Sequence, residues 1–336
     1  MPWLSVIIPC LNEEQNLPQC LASLVAQDYP KDRLEVLVVD GGSDDATRSV
    51  ASSFSGSLNV RLVDNADRRE AEWGKGLAIR QSTADLIQCM DADMWLTDAS
   101  MLRRLASPLA EDADLAGSIA PYQISPSTSI WSRYLSLDPF QRDPLCAVMT
   151  PDIDGFVVED CKGWKRCYFN SPRIPPVGGT TMFRRAQIDL KRWGGYFLEV
   201  DHPAYLVKSG YPWFAYVNDV GWAHRHCETL TGLVQKRIRN ISGLANSYLN
   251  KEVHRDYVWF DTRSLGEVTR LAWWVFTTNL VLPRLVEGAV DAMKSGRREA
   301  MLRPIVALAV CDGLLFALVK AKSVHLVLQR SHSDPC

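Results

Sequence analysis

From Leu4 to Met90 the chain alternates short β-branched apolar runs with polar turns and segments of helical period. Leu4 to Ile8 is an apolar run closed by Pro9. Leu11-Asn12-Glu13-Glu14 follows it, and then a helical pattern from Leu17 to Gln27. A second run, Leu34 to Val39, ends in Asp40-Gly41-Gly42-Ser43-Asp44-Asp45, whose Gly and Asp residues suit a turn into a helix from Ala46. Val60 to Val63 reads as a third strand and Gly74 to Ser82 as a helix. Asp85 to Met90 is a fourth strand that delivers Asp91 at its end. Strands alternating with helices predict an α/β fold, with a mainly parallel sheet flanked by helices.

Open sheets of this kind bind ligands beyond the carboxyl ends of their strands. Asn12 and Glu13, Asp40, and the pair Asp91 and Asp93 all fall at that edge, and their convergence there outweighs any one of them. Residues 121 to 177 lose periodicity and are rich in Pro, Asp, Trp and Tyr, as in an irregular substrate-facing insertion. Gly178-Gly179-Thr180-Thr181-Met182-Phe183-Arg184-Arg185 restores a turn and strand, and Tyr205 to Ser209 reads as helix.

Two apolar stretches close the chain: Leu271 to Leu282, and Ile305 to Val319, interrupted by Asp312 and Gly313. Lys294, Arg297, Arg298, Arg303, Lys320 and Lys322 flank the second. Each stretch is shorter than the roughly 20 residues that span a bilayer. They are expected to be helices in the membrane interface with basic flanks toward anionic headgroups. The alternative is a buried helical hairpin. The expected division is a catalytic domain over 1–250 and a membrane-associated helical region over 265–325.

Composition narrows the partners. Lys plus Arg (37) nearly balances Asp plus Glu (39), so no global field favours nucleic acid, and any anion site is local. The hydrophobic fraction of 47% is ample for a buried core. Nine cysteines without a CxxC pair or zinc-ligand spacing fit reduced thiols in a cytosolic compartment. The start of the chain, without a basic region or a small-residue cleavage site, reads as a first strand rather than a signal peptide.

Two carboxylates spaced as Asp91 and Asp93 reach one divalent cation only if the chain turns there. Mg2+ or Mn2+ takes such oxygen ligands and bridges them to a diphosphate. The plain alternative is a solvated turn, since Asp is common in turns; the apolar run Leu86-Ile87-Gln88-Cys89-Met90 in front of it speaks against that.

The ordered segments VIIPCLNEE, EVLVVDGGSDDAT, GKGLAIRQSTADLIQCMDADM, GGTTMFRRAQI and EVDHPAYLVKSGY resemble the inverting family 2 glycosyltransferases of the GT-A fold, closest in type to the ExoA-like transferases of succinoglycan biosynthesis. The resemblance implies a nucleotide pocket at Pro9, Leu11 and Glu13, with Asp40 on the base and Lys75 near nucleotide or phosphate. It places Asp91, with Ala92 beside it, at the ribose or sugar, and Asp93 on the metal. A later histidine often completes such a metal site; His224 and His226 are both candidates. Gly178, Gly179 and Thr180 fall at the acceptor side.

Inversion requires a base for the acceptor hydroxyl. Counting back from Gly210-Tyr211, Glu199 holds the position where the family commonly has Asp, and Asp201 lies two residues later; Glu199 is preferred. The Q-x-x-R-W motif of processive synthases is absent. Gln235-Lys236-Arg237-Ile238-Arg239 stands in its place, which favours single addition and leaves Arg237 or Arg239 to neutralise a diphosphate or to lie on a solvated helix face. Arg80 stands where many relatives have Asn.

The resemblance thus implies sugar transfer from a UDP- or GDP-sugar to a hydroxyl of a lipid-linked saccharide, at the cytoplasmic face of the cell membrane. Alternatives are a polyprenyl-phosphate glycosyltransferase and a catalytically silent nucleotide-sugar-binding protein. A sugar nucleotidyltransferase is disfavoured, because Pro9 to Glu14 is acidic where a basic phosphate loop is needed.

Overall fold

The computed structural model describes residues 1–67, 70–192, 194–239, 255–258, 260–261 and 263–316. The chain forms two compact units. The first comprises the described residues of Met1–Ser125, Thr150–Arg225 and Asp256–Val258; the second those of Pro126–Met149, His226–Arg255 and Trp259–Cys336.

The first unit is built on β1 (Leu4–Cys10), α1 (Leu17–Val25), β2 (Leu34–Asp40), α2 (Thr47–Ser53), β3 (Asn59–Asp64), α3 (Ala71–Gln81) and β4 (Leu86–Cys89). These are the elements predicted by the apolar runs, with ends moved by a few residues. Pro9 does not close β1. The strand pairs with β4 only through Ile7, so beyond that point Pro9, which has no N–H to donate, interrupts no ladder on that side. The four strands are parallel in the order β3-β2-β1-β4. Every residue of β4 and nearly all of β1 and β2 is buried, as expected of strands covered on both faces.

After β5 (Met94–Leu96) and α4 (Met101–Glu111) come β6 (Gly117–Ile119), β7 (Val157–Cys161), β8 (Trp164–Tyr168) and β9 (Thr181–Arg184). The unit continues with α7 (His202–Lys208), β10 (Trp213–Tyr216) and β11 (Trp222–His224). The nine-stranded sheet runs β3-β2-β1-β4-β9-β6-β10-β8-β7, with β9 antiparallel between β4 and β6; β5 and β11 form a separate two-stranded ribbon. The insertion expected to be irregular therefore contains an antiparallel hairpin, β7–β8, which the sequence hides because its strands are only half-buried and carry no clean alternation.

The second unit holds α5 (Ile130–Leu135), α6 (Pro144–Met149), α8 over 230–239, α9 (Leu265–Asn279), α10 (Leu282–Ser295) and α11 over 303–316. Its core brings Leu145, Met149 and Leu233 against Trp274, Val306, Val310 and Leu314. Segments 126–149 and 226–239 thus belong with the C-terminal helices, where the division at 250 and 265 had separated them. Two six-residue helices are too short to show a helical period in sequence. The first apolar stretch is divided between α9 and the start of α10. Residues 317–325, with Lys320 and Lys322, lie outside the described residues, as does the expected boundary at 250. Among the described residues no helix is long and apolar enough to cross a membrane.

Candidate active site

The site assembles at the carboxyl ends of β1, β2 and β4. Beyond β1, the backbone amide of Asn12 donates to Ser43 Oγ (2.9 Å), that of Asp44 to Asn12 Oδ1 (3.0 Å), and that of Glu13 to Thr47 Oγ1 (2.7 Å). The loops after β1 and β2 are thereby locked together, with Asn12 in the left-handed region (φ 58°) that Asn tolerates better than most residues. A cleft of about 270 Å³ opens beside them, and its lining includes Pro9, Leu11, Glu13, Asp91, Ala92 and Asp93, the residues the resemblance assigns to donor and metal. Asn65, Glu70 and Ala71, which no sequence motif marked, line it too.

Asp91 and Asp93 share this cleft because the chain turns there: the amide of Met94 donates to Asp91 O at 3.0 Å, which breaks the alternation that would send two carboxylates along one strand. Pairing of β5 with β11 sets His224 opposite Met94, and His224 Nε2 lies 3.3 Å from Asp93 Oδ1. Tyr122 stacks on the imidazole with ring centroids 5.5 Å apart. Of the two candidate histidines, His224 is therefore beside Asp93. His226 belongs to the second unit, where its carbonyl accepts from Lys236 Nζ at 3.0 Å. Among the described residues no three His, Cys, Asp or Glu side chains form a complete cage. A carboxylate and an imidazole suit Mg2+ or Mn2+ all the same, since such an ion keeps water and substrate phosphate oxygens in its shell.

Lys75 is not in the cleft lining. Expected near nucleotide or phosphate, it lies on the inward face of α3 with Gly74, Gly76, Ala78 and Ile79, only 3% exposed. Its Nζ meets Glu199 Oε1 at 2.5 Å and Asp91 Oδ1 at 3.8 Å, so one buried ammonium joins the donor-side carboxylate to the candidate base. Burial pushes the Glu199 carboxyl up; the Lys75 charge pulls it back without cancelling the rise.

Close packing fixes Glu199. A Cβ on Gly178 would sit 1.9 Å from Glu199 O, so only glycine lets the two backbones approach. Thr180, expected toward the acceptor, is buried and donates its hydroxyl to Val177 O (3.0 Å); Gly179 has ordinary space around it. Gly178→Ala is expected to destabilise the fold by about 3 kcal/mol or more, the upper end of overpacking costs. Gly179→Ala is expected to be nearly neutral. Urea unfolding midpoints check the pair, and equal midpoints contradict the packing role.

Asp201 has a different surrounding. It is 1% exposed at the start of α7, accepts from the Tyr257 amide (2.7 Å), and lies 3.7 Å from Arg192 Nη2. Arg192 and Lys208 also pair with Asp256, so Asp201 helps hold segment 256–258. Asp40, expected to meet a base, is buried, with Oδ2 2.7 Å from Arg48 Nη1 and Oδ1 accepting from the Ser43 amide. Burial raises its carboxyl, but these contacts outweigh that and hold it below the usual range. Arg237 and Arg239 lie on α8 in the second unit, where Arg237 Nε is 3.2 Å from Asp143. Arg80 acquires an account: its guanidinium packs on Gly195 and donates to that carbonyl at 3.4 Å.

The sequence profile described as Glycosyl transferase family 2 matches residues 5–170. An N-acetylglucosaminyltransferase of Bradyrhizobium elkanii is 32% identical over 137 residues, which cover 39% of this chain and 72% of that protein. The chain belongs to glycosyl transferase family 2. This family 2 chain is also 32% identical over 118 residues to the glycosyltransferase AglE of Haloferax volcanii, a match covering 35% of this chain and only 39% of AglE. Among solved structures, the mannosyltransferase PcManGT of Pyrobaculum calidifontis, in complex with GDP-Man and Mn2+, superposes with a TM-score of 0.56 at 20% identity. That likeness covers 94% of this chain and 87% of PcManGT. The fold of the family 2 chain is GT-A, with helices flanking the sheet as the resemblance implied.

Proposed function

We propose that this family 2 chain transfers a sugar, with inversion, from a nucleoside diphosphate sugar to a hydroxyl of a lipid-linked saccharide, as an ExoA-like enzyme would, on the cytoplasmic face of the cell membrane. The observation that carries the proposal is the juxtaposition in one unit of Asp91 and Asp93 at a cleft, His224 beside Asp93, and buried Lys75 joining Asp91 to Glu199. Asp93 and His224 would hold Mg2+ or Mn2+. When bound, the ion neutralises charge on the departing diphosphate. Pro9, Leu11 and Glu13 form the wall of the nucleotide pocket, and Asp91 faces the sugar nucleotide.

Glu199 takes the proton of the acceptor hydroxyl as its oxygen bonds to the anomeric carbon. The bond from that carbon to the diphosphate oxygen breaks on the opposite face, and the nucleoside diphosphate leaves with the electron pair. Lys75 partly offsets the rise that burial imposes on the Glu199 carboxyl and fixes its orientation. An acceptor phosphate needs little deprotonation, so the presence of a built base favours a hydroxyl acceptor over a polyprenyl phosphate.

Thermal-shift measurements with UDP- and GDP-sugars test the donor class, because a ligand bound only by the folded state raises its apparent stability. A rise with one donor that grows with Mn2+ is the expected result. NMR of the product is expected to show an anomeric configuration opposite to the donor's. Retained configuration, or no response to any donor, overturns the proposal.

A further inference from the structure

The corner between α9 and α10 is built against the usual rule for turns in water. Turn positions favour Gly, Asn, Asp and Pro; here Leu280, Val281 and Leu282 occupy the corner, all three exposed. Val281 has φ 61°, a left-handed conformation that is a clear outlier for a β-branched residue. The apolar surface continues along both helices. On α9, Trp273 and Phe276 are 66% and 55% exposed, in line with Leu280 at helical spacing. On α10, Leu282, Leu285, Val286 and Met293 form an exposed stripe, while Arg284 and Gly288 turn inward. Gly288 is packed so closely on Ala300 that a Cβ there would lie 2.8 Å from its carbonyl.

Charge around this surface is weighted toward cations. The acids near it are each paired with an arginine: Glu287 with Arg284 and Arg303 and Asp291 with Arg303, both acids 40% exposed, and the buried Glu299 with Arg133. Exposed cations flank it, Arg270 on α9 and Lys294, Arg297 and Arg298 at the far end of α10. Apolar stripes along two helices, an apolar corner and flanking cations match a bilayer surface with anionic headgroups. A two-fold contact with a second copy would instead set like-charged flanks against each other.

We infer that the α9–α10 corner and its stripes are a membrane-binding surface, seated in the headgroup region of anionic bilayers with Leu280, Leu282, Trp273 and Phe276 in the acyl boundary. It differs from the transfer site and is read without any donor, so its failure and that of the proposed chemistry are separable. The test is flotation of the full chain with vesicles of phosphatidylcholine alone, or with about one part in four phosphatidylglycerol.

The wild-type chain is expected to float with the anionic vesicles, and less with neutral ones. Trp273→Ser and Leu282→Ser are each expected to reduce binding roughly tenfold, the scale of one large apolar side chain returned to water. Arg297→Gln with Arg298→Gln is expected to remove the preference for anionic lipid. These side chains are already exposed, so far-ultraviolet circular dichroism and melting are expected to match wild type. A wild-type chain that floats with neither vesicle overturns the inference. So does a dimer in solution that the two Ser variants dissociate while wild type ignores lipid, which assigns the surface to a second copy.

Discussion

Glu199→Gln is expected to lower kcat by about a hundredfold to ten-thousandfold, the range lost with a general base, while Asp201→Asn retains nearly full turnover. The two carboxylates are close in sequence but differ in what surrounds them. Glu199 is joined through Lys75 to Asp91 at the cleft, whereas Asp201 accepts the Tyr257 amide and faces Arg192. Asparagine keeps an acceptor for that amide, so the fold survives the change. Asp201→Ala removes the acceptor and is expected to cost about 1–3 kcal/mol of stability.

The pH profile gives a second readout. A base works deprotonated, and burial holds the Glu199 carboxyl above its ordinary range, so kcat/KM is expected to rise with pH through that elevated value. Lys75→Met removes the charge that pulls the carboxyl down, and the limb is expected to move to still higher pH. Full turnover in Glu199→Gln with a hydroxyl acceptor, or a pH profile unmoved by Lys75→Met, defeats the assignment.

What was legible in the sequence follows from how local its cause is. The strands β1, β2 and β4 are continuous apolar runs, so both their existence and the polar residues at their ends could be read directly. Ordered motifs then singled out Asp91, Asp93 and Glu199, and the structure puts Asp91 and Asp93 in one cleft and joins Asp91 to Glu199 through Lys75. What was not legible depends on packing between distant segments. The inward turn of Lys75 needs the whole face of α3 against the sheet, and the selection of His224 over His226 needs the β5–β11 register. Thr180 is polar and follows two glycines, yet the turn at Gly178 directs it into the core. Arg80 had no local explanation because its partner, Gly195, is remote in sequence.

Asp93→Ala is expected to lower kcat roughly a thousandfold, corresponding to several kcal/mol of charge stabilisation lost from the departing diphosphate. His224→Ala is expected to act differently. One carboxylate with substrate phosphates and water still satisfies most of a Mg2+ or Mn2+ shell, so the main effect is a rise in half-saturating Mn2+, with kcat largely restored at high ion concentration. The competing account is a simple structural pair: His224 Nε2 and Asp93 Oδ1 are 3.3 Å apart, so the imidazole packs beside the carboxylate with no ion involved. The two accounts separate on metal removal. If the pair serves an ion, chelation takes wild type down to the level of Asp93→Ala, and added Mn2+ rescues wild type but not the variant. If the pair is only structural, chelation leaves wild-type turnover intact, and both substitutions act through the melting temperature instead. Asp91→Asn adds a third arm. Its carboxylate lies 3.8 Å from Lys75, so neutralising it is expected to raise the donor KM through the cleft while leaving the Mn2+ requirement in place.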